Sequence, residues 1–77
     1  MFYVAEAADI PTTSSPSTSP FFRVVERSEK AAREALATAF TQRGASAHAA
    51  VEYANATEGV WTDFGALGVT ARVSVSA

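Results

Sequence analysis

The stretch Phe21–Phe40, FFRVVERSEKAAREALATAF, decides the fold, because it combines the signals of a strand, a helix cap and an amphipathic helix. Its first six residues are rich in Phe and Val and follow Pro20, which is typical of a strand. Ser28 stands where a hydroxyl can accept from a free N–H of the first helical turn. Beyond it, small and apolar side chains recur at helical spacing and predict one buried stripe: Ala32, Leu36, Ala39 and Phe40.

Apolar residues occur on both sides of the strand in this unit. In an extended chain Phe22 and Val24 point to one side, and Phe21 and Val25 point to the other. Two apolar faces are typical of a strand that is covered on both sides. We therefore expect Phe21–Glu26 to lie in the interior of the sheet or to be covered on more than one side.

Three further segments have strand character. Phe2–Ala7 is a first strand, and Val60–Phe64 and Val69–Ser76 form a hairpin around a turn at Gly65–Gly68. In the hairpin, Val60, Thr62 and Phe64 share one side, with Trp61 and Asp63 on the other. The last strand alternates most regularly, which predicts a half-solvated antiparallel strand. Its core face is Val69, Ala71, Val73 and Val75, and its solvent face is Thr70, Arg72, Ser74 and Ser76.

The segment 45–57 allows two interpretations. Its alanines favour a helix capped by Ser46, with a stripe of Ala47, Ala50, Val51 and Ala54. The rival interpretation is a strand, because Ala49, Val51 and Tyr53 alternate with their neighbours. We prefer the helix, and Gly44 then ends the preceding helix in the left-handed conformation or punctuates one longer helix.

These elements predict an α+β fold. A small antiparallel sheet of about four strands, in the order β-β-α-(α)-β-β, carries the alanine-rich helix on one face. Residues 1–77 make a single small domain. Residues 11–20, PTTSSPSTSP, have almost nothing to bury, so we expect a flexible loop.

The sequence contains no catalytic motif. There is no cysteine, and His48 is the one histidine, with only Glu52 near it as a second ligand type. No Ser–His–acid arrangement, glycine-rich phosphate loop or positioned carboxylate pair is present. We therefore expect a protein that is not an enzyme and that uses no metal or cofactor.

Charge and hydropathy bound the class of partner. The net charge is −2, and the bases of residues 21–43 alternate with acids, which is not the profile of a phosphate-binding protein. No apolar run approaches the roughly 20 residues that span a bilayer, and the first residues lack a basic secretory segment. We expect a cytoplasmic protein that binds another protein, not nucleic acid or membrane.

Trp61 is the best candidate for an interface anchor, since Trp and Tyr are enriched among residues that dominate binding energy. Glu52, Glu58 and Asp63 could form an acidic patch beside it, so these four residues are the predicted partner contacts. The competing interpretation of Trp61 is packing beneath the 11–20 loop.

In size, order of elements and mild acidity, the whole chain resembles small phage-encoded anti-CRISPR proteins. No motif carries this resemblance, because those proteins share none, and no functional residue is transferred by it. The resemblance implies a non-enzymatic inhibitor in the bacterial host cell that binds a CRISPR effector subunit and blocks it from target DNA.

The alternative function is a small self-associating structural or accessory phage protein. Such a chain would self-associate through the helix stripe or through an open sheet edge. For the protein as a whole we expect a monomer or a weak homodimer. Nucleic-acid binding through the Arg23–Arg43 segment is a third class, which the interleaved acids disfavour.

Overall fold

The structure is a computed structural model that describes residues 1–76. It confirms the α+β class, with a four-stranded antiparallel sheet, two helices and the order β-β-α-α-β-β. The elements are β1 Phe2–Asp9, β2 Pro20–Glu26, α1 Glu29–Gln42, α2 Ala47–Ala56, β3 Thr62–Phe64 and β4 Val69–Ser76.

The strand order across the sheet is β2-β1-β4-β3. The first strand, β1, is therefore central, and all its residues from Val4 to Ala8 are buried. The expectation of an interior β2 was wrong, since β2 lies at an edge. Its apolar faces have different surroundings: Phe22 and Val24 pack on the core below α1, whereas Val25 on the opposite face is 48% exposed.

Local signals fix both ends of α1. The backbone N–H of Ala31 donates to the hydroxyl of Ser28 at 3.1 Å, which confirms the cap. At the other end Gly44 has a φ of +101°, and the N–H of Ala45 donates to the carbonyl of Phe40. This left-handed residue separates two helices. The predicted stripe is fully buried against the sheet: Ala32, Leu36, Ala39 and Phe40.

The segment after Gly44 is a helix, which settles the choice against a strand. Its cap is Ser46, whose hydroxyl accepts from the N–H of Ala49 at 3.1 Å. The predicted stripe is only half right, because Ala50 and Ala54 are buried while Val51 is 53% exposed. The helix packs mainly on α1, and such a contact covers a narrower strip than a sheet does.

Aromatic rings join the helix layer to the end of the sheet. Phe40 of α1, Tyr53 of α2 and Phe64 of β3 have ring centroids 5.1–5.9 Å apart. Arg33 adds a polar link, because its guanidinium donates to the carbonyls of Ala54 and Thr57 at 2.6 and 2.9 Å. These contacts hold the otherwise unpaired C-terminus of α2 against α1.

The predicted hairpin is present, with Phe64 opposite Val69 and Thr62 opposite Ala71. Its first strand is shorter than expected, because β3 begins at Thr62. Val60 lies in the bend before it and is 66% exposed, so it does not share a core face with Thr62 and Phe64. The chain bends at Gly59 and Val60, so the regular pairing with β4 begins only at Thr62.

Two predictions of side-chain exposure in β4 were wrong. Val75 is 60% exposed, because it lies near the end of the strand, where the helix layer no longer covers the sheet. Thr70 is only 2% exposed, since it sits in an interior strand between Ala8 of β1 and Asp63 of β3. Among residues 1–76, the Thr70 hydroxyl has no hydrogen-bond partner.

The 11–20 segment is exposed along its whole length. The N–H of Thr12 donates to the carbonyl of Ser15, and the N–H of Ser15 donates to the carbonyl of Thr12, forming one small turn. The strands extend further than expected at both ends of this segment, since β1 continues to Asp9 and β2 begins at Pro20, so the connection is residues 10–19. Flexibility of this loop stays a prediction.

Candidate functional site

The sheet has one face covered by helices and one face that no described helix covers. We call the second one the helix-free face. Register places its side chains in rows: Val4 lies between Val25 and Ser74, and Glu6 lies between Arg23 and Arg72. The molecule is thin, with a smallest principal extent of 16 Å. The helix-free face is therefore one of its two broad surfaces.

A charged row crosses the middle of this face. Arg72 Nε donates to Glu6 Oε1 at 2.8 Å, and Arg23 Nε lies 3.9 Å from Glu6 Oε2. The guanidinium of Arg72 also lies 4.5 Å from the centroid of the Trp61 ring. The row Arg23–Glu6–Arg72–Trp61 thus connects β2, β1, β4 and the residue before β3.

The accessible groups of this row are cationic and aromatic. Glu6 is only 7% exposed, so its carboxylate is buried below the two guanidiniums that neutralise it. The side chains of Arg23 and Arg72 remain 59% and 37% exposed. Two cations share one carboxylate, so the row has a local charge of +1 in a chain whose net charge is −2.

A second contact between a cation and an aromatic ring lies at one end of the same surface. The guanidinium of Arg27 sits 5.4 Å from the ring centroid of Phe2, which is 37% exposed. Phe2 alternates with Val4 and Glu6 along β1, so its ring belongs to the helix-free face. The face therefore carries aromatic rings beside guanidiniums at two places.

The four predicted partner contacts do not lie on one surface. Trp61 and Asp63 lie on the helix-free face, with Asp63 exposed opposite Thr70. Glu58 is exposed in the link before them, where its backbone carbonyl accepts from the N–H of Val73. Glu52 belongs to α2 in the helix layer, where its carboxylate pairs with His48. Participation of all four in binding stays a prediction.

Sequence reasoning missed Glu6, Arg23 and Arg72 as members of a site. Alternation along β4 placed Arg72 on the outer face, and alternation along β1 placed Glu6 beside Val4. What joins them is the pairing of β1 with β4, residues 66 apart in sequence. No local signal specifies that register.

The helix layer contains a groove of about 420 Å³ between α1 and α2. Its basic residues are not all free, since Arg33 binds Glu29 Oε2 at 3.0 Å as well as the end of α2. Its remaining lining mixes charges with small apolar groups: Lys30, Glu34, Ala37, Val51 and Asn55. The lining of the groove therefore has neither a uniform charge nor a continuous apolar surface that would select one class of ligand.

Within residues 1–76, no group of three or more His, Cys, Asp or Glu side chains is placed to hold a metal ion. The described helices include none with the length and hydropathy to cross a bilayer. Comparison of the chain with family models, with curated proteins and with solved structures found no match. The helix-free face is therefore the surface whose chemistry bears most directly on function.

Proposed function

We propose that the protein is a non-enzymatic protein-binding module and that the helix-free face is its interface. The observation that supports this most directly is the contact of Arg72 with Trp61 on the sheet face that no described helix covers. Trp and Arg are the side chains most enriched among residues that dominate binding energy. Here both are partly exposed and lie side by side.

The row is already ordered in the free protein. Arg72 is held by Glu6 on one side and by the Trp61 ring on the other. Immobilising a long side chain on binding costs about 0.5–1.5 kcal/mol, and that cost is reduced for a side chain that is fixed beforehand. The same two contacts fix the direction in which the guanidinium faces a partner.

The dimensions of the face suit a small interface. Four strands about 4.8 Å apart, up to eight residues long at about 3.3 Å per residue, span roughly 19 by 26 Å. This is a footprint of about 500 Å², below the roughly 800 Å² that each partner contributes to a standard interface. Binding therefore depends on a few strong contacts, of which the row is the best placed.

The narrower form of this proposal is an inhibitor that binds a CRISPR effector subunit and blocks it from target DNA. Chain length and element order support it through the resemblance to small anti-CRISPR proteins. The exposed guanidiniums of the helix-free face complement an acidic surface of the effector better than its DNA-binding groove. Inhibition by this face would therefore work by blocking a movement or a subunit contact that DNA binding needs.

The test measures DNA binding and cleavage by purified effector complexes with and without the protein. Trp61→Ala and Arg23→Gln should relieve inhibition, because the first removes the ring that holds Arg72 and the second removes an exposed cation of the same row. Lys30→Gln is the matched control, since it removes an exposed cation from α1 in the helix layer. Equal loss with the control would overturn the assignment to this face.

Two results would overturn the narrower and the broader form separately. If no effector is inhibited while Trp61 still contributes to capture of another protein, only the CRISPR assignment fails. If the pure protein shifts labelled DNA at physiological salt, the protein-binding assignment itself is wrong.

A further inference from the structure

The outer edge of β2 is open. Within residues 1–76, β2 pairs with β1 alone, so its other side presents N–H and C=O groups without a strand partner. Open edges are templates for pairing with another chain, and many proteins protect them by keeping the edge strand short. The opposite edge, β3, is protected in this way because it has three residues, whereas β2 has seven.

Only the first part of β2 is protected. Pro20 lacks an N–H, and the pairing register with β1 shifts between Ala7 and Ala8, opposite Pro20 and Phe22. From Phe22 to Glu26 the ladder is regular. Five residues of edge are therefore available for a straight antiparallel partner.

The geometry points to a second copy of this chain as the occupant of that edge. Phe22–Glu26 of each copy would pair antiparallel about a two-fold axis, and the two sheets would join into one sheet of eight strands. A two-fold edge pairing is self-complementary, so one surface serves both copies. The open edge of β2 carries this association. The apolar stripe of α1 is not available for it, because its four side chains are buried within the protomer: Ala32, Leu36, Ala39 and Phe40.

Charge selects the register of the pair. A pairing centred on Val24 places Arg23 opposite the partner's Val25 and Phe22 opposite the partner's Glu26, so no like charges face each other. A pairing centred on Arg23 places the guanidiniums of the two copies directly opposite each other, which is destabilising. A pairing centred on Val25 leaves only three residues of each strand paired. The register about Val24 is the one that keeps five pairs and avoids repulsion.

The two-fold axis of this dimer is perpendicular to the sheet. Both helix-free faces therefore point to the same side, and the two Arg23–Glu6–Arg72–Trp61 rows lie in one continuous surface. A pairing of five residues per strand buries less than a standard interface. The dimer is accordingly weak and forms at high protein concentration.

Sedimentation equilibrium of the pure protein, from micromolar to millimolar concentration, tests the proposal through opposite substitutions of one residue. In the stated register Val25→Glu places a carboxylate opposite the partner's Arg23, and Val25→Lys places a like charge there. Two such pairs per dimer should tighten or weaken association by about 2- to 30-fold. A register centred on Val25 would instead make both substitutions weaken the dimer.

The matched controls are Val75→Glu and Val75→Lys. Val75 is 60% exposed and also lies in a strand, but β4 is interior to the sheet and distant from the β2 edge. These variants should dimerise like the wild type. A wild-type monomer across the whole concentration range, or changes of the same sign for both Val25 variants, would overturn the proposal. Circular dichroism of each variant verifies that it is folded.

Discussion

Replacing Glu6 with Gln measures how strongly the charged row stabilises the centre of the sheet. The variant keeps the shape of the side chain and one acceptor for Arg72 Nε, but removes the charge that two guanidiniums share. Hydrogen bonds to charged groups contribute about 1.5–3 kcal/mol. Because Arg23 and Arg72 are 59% and 37% exposed, water compensates part of the loss. We expect the free energy of unfolding to fall by about 1–2 kcal/mol, which corresponds to a decrease of about 5–15 °C in Tm.

The control for this prediction is Asp9→Asn in the same strand. Arg43 Nη1 donates to Asp9 Oδ1 at 2.7 Å, so the pair is as short as that of Glu6. Its carboxylate is 66% exposed, however, and exposed pairs contribute about 0–1 kcal/mol. Urea denaturation of both variants compares a buried with an exposed carboxylate. Equal losses, or a smaller loss for Glu6→Gln, would refute the argument from burial.

Three further substitutions, one of them with a control, test the fold. Thr70→Val should raise the free energy of unfolding by about 1 kcal/mol, because it removes a buried hydroxyl without a partner; a decrease would show that the hydroxyl is satisfied in solution. Gly44→Ala should lower it by about 1 kcal/mol, because φ is +101°, whereas Gly65→Ala in open space should change it little. Phe40→Ala should lower it by about 3–5 kcal/mol and leave the protein largely unfolded by circular dichroism; a folded variant with a small loss would contradict the assignment of Phe40 to the core.

Helix boundaries could be predicted because their causes are local. Ser28 and Ser46 accept from N–H groups three residues later, and Gly44 adopts a conformation that other residues avoid. The same applies to the buried stripe of α1, since helical periodicity alone determines which side chains share a face. For these features the sequence within a few residues contains the necessary information.

Strand order could not be predicted from local signals. The apolar pattern of β2 suggested an interior strand, but the interior positions belong to β1 and β4. In β1, Ala5, Ala7 and Ala8 pack with no exposed surface. The exposure of Val75 and the burial of Thr70 follow from where the helices and neighbouring strands end. Each of these depends on which strands pair, and that is decided by the whole chain.

The candidate site was predicted only in part, for the same reason. Trp61 and Asp63 were placed correctly on the side of the hairpin away from Phe64. Their arginine neighbour was not recognised as part of the site, because Arg72 reaches Glu6 across strands distant in sequence. The acidic surface expected around Trp61 is replaced near the ring by a guanidinium.

The most direct test of the helix-free face as a binding surface is the fluorescence of Trp61, the single tryptophan of the chain. Its ring is half-buried beneath Arg72 in the free protein. If a partner covers this face, emission should shift to shorter wavelength on binding, and quenching by iodide should decrease. Tight binding that leaves both the emission and the quenching of Trp61 unchanged would contradict the assignment.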